Sequence, residues 1–420
     1  MPSRDKIGAK LNRQSFMFNR QHKTSFALVT ILFFLWGFAR AIMDVLNKHF
    51  QTEMGVSISQ STWVQGAFFL GYFLFALPAG RLLMKYGYRT SLLFGLVLFG
   101  FGAISFGLGS TLYVDDKMSL FYFFLFSLFV IACGLVVLET AANPYVTCLG
   151  DKETAASRLN LAQGFNGLGS IFGPWIGGLL LFTGSASVST SYVLMGLFVF
   201  ALTLTFSRID LPEIKEETQM VDVSYRSLLH NKLFVFGFLA LLFYEIAEIS
   251  INSLFINYAE GVQGIDKMAA SQWLSFAFLL FMCARFAGSW LMSRIAAERV
   301  LLYCAIGTVA ANALVLMNVG KLSMLALLLN FAFEAIMFPT IFSLALRGLG
   351  KLTKRASAIL MMSTIGGAIG TMLMGAIGDW TSLSFAFIVP LIGYLVVLAY
   401  SWRVNTVISG HAPKRKGRPT

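Results

Sequence analysis

The chain has 420 residues, of which 57% are hydrophobic and only 12% are charged, and its mean hydropathy is +0.73. A soluble domain carries roughly 25% charged residues, and a soluble core of this size could not bury so much apolar surface. The nine prolines and the 15% aromatic content also exclude a disordered or collagen-like chain. The composition therefore indicates an all-helical protein that spans a membrane many times.

The net charge of +12 lies in loops and tails beside apolar segments, so it indicates membrane orientation and not a nucleic-acid partner. With the N-terminus inside, cytoplasmic segments hold 26 of the 32 Lys and Arg residues, and the opposite face holds four. This bias predicts that both termini face the cytoplasm, and we expect a bacterial inner-membrane protein. The first apolar run is too long for a cleavable signal peptide.

Twelve membrane-spanning helices are predicted from apolar runs of suitable length. In chain order they lie at 26–46, 62–83, 91–110, 119–147, 159–182, 191–207, 233–257, 270–292, 300–318, 322–345, 356–378 and 382–402. We expect two six-helix halves at 25–207 and 233–402, joined by a cytoplasmic linker at 208–232. Basic cytoplasmic tails are expected at 1–24 and 403–420.

The two halves repeat each other at nearly fixed offsets. The segment AGRLLM at 79–84 recurs 208 residues later as AGSWLM at 287–292, and Glu139 recurs 195 residues later as Glu334. Such a duplication predicts a 6+6 architecture of two parallel six-helix halves with a site between them at mid-membrane, the arrangement of many transporters.

Glycines, prolines and cysteines inside the spans have structural interpretations. Gly169-x-x-x-Gly173 and Gly366-x-x-x-Gly370 predict close helix packing. Pro144 and Pro339 follow a span acid by five residues and are expected to interrupt their helices, freeing a carbonyl for a ligand. The four cysteines, all in apolar stretches, are predicted to be small buried side chains and not a disulfide set or a metal site. They are Cys133, Cys148, Cys283 and Cys304.

Seven ionisable residues lie inside the predicted spans: Arg40, Asp44, Glu139, Glu245, Glu248, Arg285 and Glu334. Each costs about 2.5–3.5 kcal/mol at the centre of a membrane helix, and such residues usually face a cavity and pair with a partner. The alternative is a structural polar brace or a span boundary that is drawn in the wrong place. The roles of Glu245, Arg285 and Glu334 stay open from the sequence.

The spacing of these residues favours a lined cavity. Asp44 follows Arg40 by four residues, Asn143 follows Glu139 by four, and Asn252 follows Glu248 by four, so each pair shares a helix face. Carboxylates with amides form a donor and acceptor set suited to several hydroxyls. The predicted substrate-binding residues are Trp36, Glu139, Asn143, Gln163, Asn166, Glu248, Asn252 and Phe338. Aromatic stacking on a sugar ring and ordinary helix packing are both open for Trp36 and Phe338.

Asp44 is the predicted proton-coupling residue, because it is the only acid in the first span and a carboxyl there can bind and release a proton. Arg40, Glu248 and Glu334 are the predicted charge partners in the cavity. We expect no bound metal and no cofactor. The partners are expected to be a small sugar and the lipid bilayer, with the protein a monomer.

Four strings carry a resemblance to a known family. They are FFLW at 33–36 followed by Asp44, LETAANPYVT at 138–147, RLNLAQ at 158–163 followed by FN at 165–166, and FPTIFSL at 338–344. Together they resemble the fucose:proton symporter family of the major facilitator superfamily. The resemblance implies a twelve-helix protein that imports a monosaccharide with a proton. It implies that Asp44 and Glu139 take part in coupling and sugar binding, and that Gln163 and Asn166 contact sugar.

The chain also departs from that family. Fucose-specific members carry an Asn pair where this chain has Arg40-Ala41, a Gln where it has Glu248, and no acid where it has Glu334. Glucose, galactose and N-acetylglucosamine are therefore as open as fucose. The loop motif that begins at Gly80 has Met84 where the superfamily usually has Asp. Arg40 and Glu248 occupy equivalent positions at the 208 offset, and we expect them to pair across the two halves.

The predicted function is import of a monosaccharide by symport, with a proton as the expected coupling ion and sodium still open. A sugar-binding sensor that does not transport and an exporter of another small metabolite are the alternatives. An enzyme is disfavoured, because no nucleophile–base set, His or Cys constellation or phosphate-binding loop is present.

Overall fold

The protein is described by a computed structural model for residues 20–113, 116–149, 155–183, 187–209, 228, 230–292, 294–347, 349 and 352–410. Regular structure in these ranges is helical throughout. The chain forms two compact units: unit 1 is Met1–Val56 with Trp63–Gln219, and unit 2 is Ser57–Thr62 with Met220–Thr420. The predicted tails and most of the predicted linker lie outside the described residues, and their limits stay predictions.

Unit 1 has five long helices. The chain begins with α1 (Arg20–Met54), passes through the short α2 (Ile58–Ser61), which belongs to unit 2, and continues with α3 (Trp63–Leu112), α4 (Lys117–Cys148), α5 (Ala155–Phe182) and α6 (Val188–Arg208). Unit 2 continues with α7 (Lys232–Gly261), α8 (Lys267–Met292), α9 (Ala297–Leu316), α10 (Lys321–Glu334), α11 (Met337–Leu346), α12 (Thr353–Met361), α13 (Ile365–Trp380), α14 (Leu383–Ala386) and α15 (Ile388–Gly410).

The helix α3 makes two crossings. Its 50 residues would extend about 75 Å, whereas a bilayer core is about 30 Å thick. Gly87 has a φ of 76°, outside the helical region, and divides the helix into two segments. Eleven apolar segments of the described chain are long enough to span a membrane, and the one at Ile58–Leu112 contains this break. The prediction of twelve spans is thereby confirmed.

The helices differ from the predicted spans in three ways. Several run beyond the apolar core, as α1 does at both ends of the predicted span 26–46, because a helix continues into the headgroup region where its polar residues meet water. The predicted tenth span is divided between α10 and α11, and a 3₁₀ turn at Met362–Thr364 divides the eleventh. The expected interruption at Pro144 is wrong, because α4 continues through it.

The short α2 is held within unit 2 by a carboxylate. Asp379 of α13 accepts hydrogen bonds from the backbone N–H groups of Ile58 (3.2 Å) and Ser59 (2.7 Å). Ser57 caps the same helix end by accepting from the backbone N–H of Gln60. Free backbone donors and the helix dipole at an N-terminus favour a negative charge there, which explains how six residues join a unit that is distant along the chain.

Glycines bring two pairs of helices into backbone contact. A Cβ atom on Gly169 would lie 2.1 Å from the Phe34 carbonyl oxygen, so α5 packs directly on α1. In unit 2, a Cβ atom on Gly370 would lie 2.3 Å from the Ile246 carbonyl oxygen of α7. The predicted packing role of both Gly-x-x-x-Gly motifs is confirmed.

We expect Gly169→Ala to destabilise unit 1 strongly. The new methyl group would meet backbone atoms of α1, which cannot move aside as a flexible side chain can, so the helices must separate at a cost of about 1–3 kcal/mol or more. Gly164→Ala on the same helix is the matched control, because within the described residues no atom outside its own helix lies within 4 Å of its Cβ position. The measurement is the thermal loss of monodisperse protein in detergent. Equal midpoints for the two variants would contradict the packing.

The prediction that the cysteines are all buried is wrong in part. Cys133 is buried, whereas Cys304 is half-buried and Cys283 is exposed. The reason is that apolar residues of a membrane helix also face lipid, so an apolar neighbourhood in sequence does not imply a protein interior. The side chain of Cys148 lies outside the described residues.

Candidate functional site

The buried face of α1 places Asp44 against an amide of α3. Asp44 is 6% exposed and Gln65 is 1% exposed. The Nε2 group of Gln65 donates to Asp44 Oδ1 at 3.4 Å, and its Oε1 accepts from Asn47 Nδ2 at 3.4 Å. Gln51 in turn donates to Asn47 Oδ1 at 2.9 Å. An amide chain therefore orients the carboxyl of the predicted coupling residue.

Glu139 of α4 lies in a separate group with residues of α1 and α3. The Arg40 guanidinium and the Tyr72 hydroxyl are both close enough to act on its carboxyl. The Tyr72 hydroxyl also interacts with Trp36, but it forms no hydrogen bond of regular geometry within the described residues. Arg40 stands 5.9 Å from the centre of the Phe69 ring. Glu139 thus has a cation and a phenol as neighbours in a largely apolar surrounding.

A crevice opens beside the Glu139 carboxyl. Its lining consists of Leu32, Phe33, Trp36, Leu138, Glu139 and Ala142. A carboxylate next to an indole is a combination suited to a sugar, because the acid accepts from hydroxyls and the ring covers the C–H face. Trp36 and Glu139, both predicted to bind substrate, are brought together here.

The predicted amides divide into two groups. Gln163 of α5 donates to Asn143 Oδ1 of α4 at 3.3 Å, so these two predicted residues form a pair. Asn166 instead donates to the backbone carbonyl of Phe33 on α1 at 3.3 Å. That bond uses the Asn166 amide in helix packing, and its contact with substrate stays a prediction.

In unit 2, helix α7 carries the predicted acid and amide on one buried face. Glu248 is 8% exposed and Asn252 is 5% exposed, and Asn252 Oδ1 is buried without a hydrogen-bond partner in the described part of the chain. The Tyr244 ring lies 6.2 Å from the Phe338 ring, centre to centre. The expected pairing of Arg40 with Glu248 joins two different units and stays a prediction.

Glu334, the last residue of α10, lies in a fully buried polar cluster. Its Oε2 accepts from Asn330 Nδ2 at 2.7 Å and from the Tyr394 hydroxyl. Asn330 also donates to the Tyr394 oxygen at 3.1 Å, and its own Oδ1 accepts from Asn312 at 2.7 Å. Glu334, Asn330 and Tyr394 each have 0% of their surface exposed.

Pro339 explains the break between α10 and α11 and the position of Arg285. Proline has no N–H group and its ring excludes the carbonyl four residues earlier, which here belongs to Ala335. Arg285 Nε of α8 donates to that carbonyl at 3.1 Å. The freed carbonyl, which we expected to be open to a ligand, is therefore bound by the protein itself.

Sequence reasoning missed Gln65, Tyr72, Asn330 and Tyr394. Gln65 and Asn330 carried a usable signal, since an amide inside an apolar span is costly and needs partners. The tyrosines carried none, because a tyrosine in a membrane span is common at the interface and in packing.

Six crossings in each of two compact units, with acids and amides on buried helix faces, define a polytopic membrane transporter. The sequence model of the Major Facilitator Superfamily matches residues 29–364, and the protein belongs to that superfamily. Its members are transporters and not enzymes.

Individual relatives agree with this assignment. The chain is 33% identical to the glucose/galactose transporter of Brucella abortus (biovar 1, strain 9-941) over 395 residues, which cover 90% of this chain and 94% of that protein. It is 31% identical to the L-fucose-proton symporter of Escherichia coli (strain K12) over 415 residues, covering 91% and 93%.

Solved structures agree as well. The crystal structure of FucP, a Major Facilitator Superfamily transporter, in the outward conformation matches with a TM-score of 0.68 and 30% identity, covering 92% of this chain and 99% of that one. The inward open xylose transporter XylE from E. coli matches with a TM-score of 0.73 at 13% identity, which supports the fold alone.

Proposed function

We propose that this protein imports a monosaccharide together with a proton by alternating access. The observation that carries the proposal is the group around Glu139, which lines a crevice together with Trp36 and has the Tyr72 hydroxyl as a neighbour of its carboxyl. The relatives named for glucose, galactose and fucose transport support a sugar as the substrate.

The polar groups proposed to bind the sugar are argued on each unit by itself. In unit 1 they are Glu139, Asn143 and Gln163. In unit 2, Glu248 and Asn252 line the same buried face of α7, and the unpartnered Oδ1 of Asn252 is an acceptor available to a hydroxyl. Asp44 is proposed to carry the transported proton, with Gln65 positioning it.

Uptake into proteoliposomes tests the function. Purified protein is reconstituted, and radiolabelled glucose, galactose, fucose and N-acetylglucosamine are offered under an imposed proton gradient or an imposed sodium gradient. We expect accumulation of at least one of these sugars with the proton gradient. Accumulation with sodium alone would overturn proton coupling. Sugar binding with no uptake under either gradient would identify a sensor, and efflux alone would identify an exporter.

We further propose that the protein is a monomer in a bacterial inner membrane, with both termini in the cytoplasm. The distribution of Lys and Arg residues supports this orientation, because basic loops remain on the cytoplasmic side.

Thiol labelling checks the orientation. Lys117, the first residue of α4, and Arg294, after α8, are both exposed, and the proposal places them on opposite sides of the membrane. A membrane-impermeant maleimide applied to intact cells should label Lys117→Cys and spare Arg294→Cys. The parent, which retains its own cysteines, measures the background. Labelling of Arg294→Cys alone would show the inverted orientation.

A further inference from the structure

Glu334 is a buried acid whose hydrogen bonds satisfy only one of its two oxygens. Oε2 has two donors, whereas Oε1 is buried without a hydrogen-bond partner within the described residues. Glu334 also forms no ion pair among those residues, although its side chain has 0% exposure. An ionised carboxylate with one buried oxygen that no protein donor reaches is far more costly to bury than a neutral acid.

The surrounding amides determine which oxygen can carry a proton. Asn312 donates to Asn330 Oδ1, so the Nδ2 of Asn330 must be the group that faces Glu334 and Tyr394. The Tyr394 oxygen accepts from Asn330, which leaves its own hydrogen to donate to Glu334 Oε2. Oε2 therefore accepts two hydrogen bonds in this arrangement, and Oε1 is the oxygen of Glu334 that is left to carry a proton.

We propose that Glu334 is a proton-binding site of unit 2, protonated on Oε1 in this conformation, and that Asn330 and Tyr394 position it. The chain thus contains an exchangeable proton besides the one assigned to Asp44. Proton binding follows from unit 2 alone, whereas a part in transport rests on the proposed function.

The charged and titratable neighbours of Glu334 come from several helices. Glu248 of α7 opposes a negative charge on Glu334, and Arg285 of α8 favours one. The Tyr394 hydroxyl of α15 donates to Glu334 Oε2. The Tyr244 hydroxyl of α7 donates to the backbone carbonyl of Glu334 at 3.4 Å, and the charge of Glu245 also acts on Tyr244. Arg285 is attached to the Ala335 carbonyl by its Nε. A shift of Arg285 or Glu248 would change the proton affinity of Glu334, which would connect its protonation to movement of these helices.

Infrared difference spectroscopy across a pH titration tests the proposal on the purified full-length protein in detergent. The parent should show a protonated-carboxyl C=O band that Glu334→Gln removes. Glu53→Gln, which changes an exposed acid of α1, is the control and should leave every buried-carboxyl band in place. Tyr394→Phe should move the Glu334 band to higher frequency, because the C=O group at Oε2 loses a donor.

Two results would overturn the proposal. A Glu334→Gln spectrum equal to that of the parent would show that Glu334 binds no exchangeable proton. If Tyr394→Phe leaves the Glu334 band at the same frequency, the proton and the donors are not arranged as inferred. This second test does not depend on whether Glu334→Gln folds.

Sugar-driven proton uptake in proteoliposomes separates this proposal from the proposed function. If the parent moves none of the tested sugars but shows the Glu334 band, only the function fails. If sugar and protons move together but the band is missing, only the Glu334 site fails. If both hold, Glu334→Gln should change the pH profile of uptake while Glu53→Gln does not.

Discussion

Asp44→Asn should abolish sugar accumulation against a gradient while sugar binding persists. The variant keeps the size of the side chain and can still interact with Gln65, but an amide cannot release and rebind a proton in the physiological range. The proposed proton step is lost, and the internal sugar concentration should rise no higher than the external one. The measurement is radiolabelled uptake under a proton gradient, together with equilibrium binding in detergent.

The control for this variant lies on the same helix. Glu53→Gln makes the same chemical change at an exposed position of α1 and should accumulate sugar as the parent does. Gln65→Leu adds a graded test, because it removes the donor to Asp44 Oδ1 without removing the acid. It should alter the pH dependence of uptake more than it alters sugar binding. Unchanged accumulation in Asp44→Asn would remove Asp44 from the coupling mechanism.

Glu139→Gln should weaken equilibrium sugar binding by about tenfold or more. A carboxylate makes charge-assisted hydrogen bonds with hydroxyl groups. Deleting a partner of a buried polar group costs about 1–3 kcal/mol, and more when a charge is involved, where 1.4 kcal/mol corresponds to about tenfold. Gln163→Ala should weaken binding in the same direction, because it also removes the partner of Asn143. Isothermal titration with the transported sugar is the measurement.

Thr140→Val is the matched control for Glu139. Thr140 is the next residue of α4, and its hydroxyl donates to the Val136 carbonyl of its own helix at 2.7 Å. Valine keeps the β-branched shape of threonine, and the hydroxyl that is removed is already bonded to a carbonyl of its own helix, so sugar affinity should stay within about twofold of the parent. Parental affinity in both Glu139→Gln and Gln163→Ala would place the sugar site elsewhere.

Much of the architecture could be predicted because a bilayer imposes a simple length rule. A helix must carry about 20 apolar residues to cross, and this rule identified twelve crossings, including the two segments of α3 that meet at Gly87. Helix ends were predicted less well, since α1 continues into polar sequence that hydropathy does not recognise as part of a span. The break before Pro339 was predictable from the missing N–H group. Its partner Arg285, 50 residues earlier in the chain, was not.

From the sequence, the candidate site was predictable only as a set of ionisable residues that are costly to place in a membrane helix. Asp44, Glu139 and Glu334 were recognisable because an ionisable side chain in the hydrocarbon core costs free energy, so such residues usually have a function. Their partners were not, since Gln65 meets Asp44 and Tyr394 meets Glu334 only after α3 and α15 have packed. The sequence placed Asn166 with the sugar-binding amides, whereas helix packing joins it to the Phe33 carbonyl.

The sequence by itself determined the class of protein, the number of crossings and the acids that must be explained, because these depend on the local cost of placing each residue in lipid. Only the tertiary structure decided which donor each acid meets. Hydrogen-bond partners depend on distances of about 3 Å between helices, and those distances follow from close contacts such as Gly169 on Phe34. The unpartnered Oε1 of Glu334 is a property of that packing, and no pattern in the sequence reveals it.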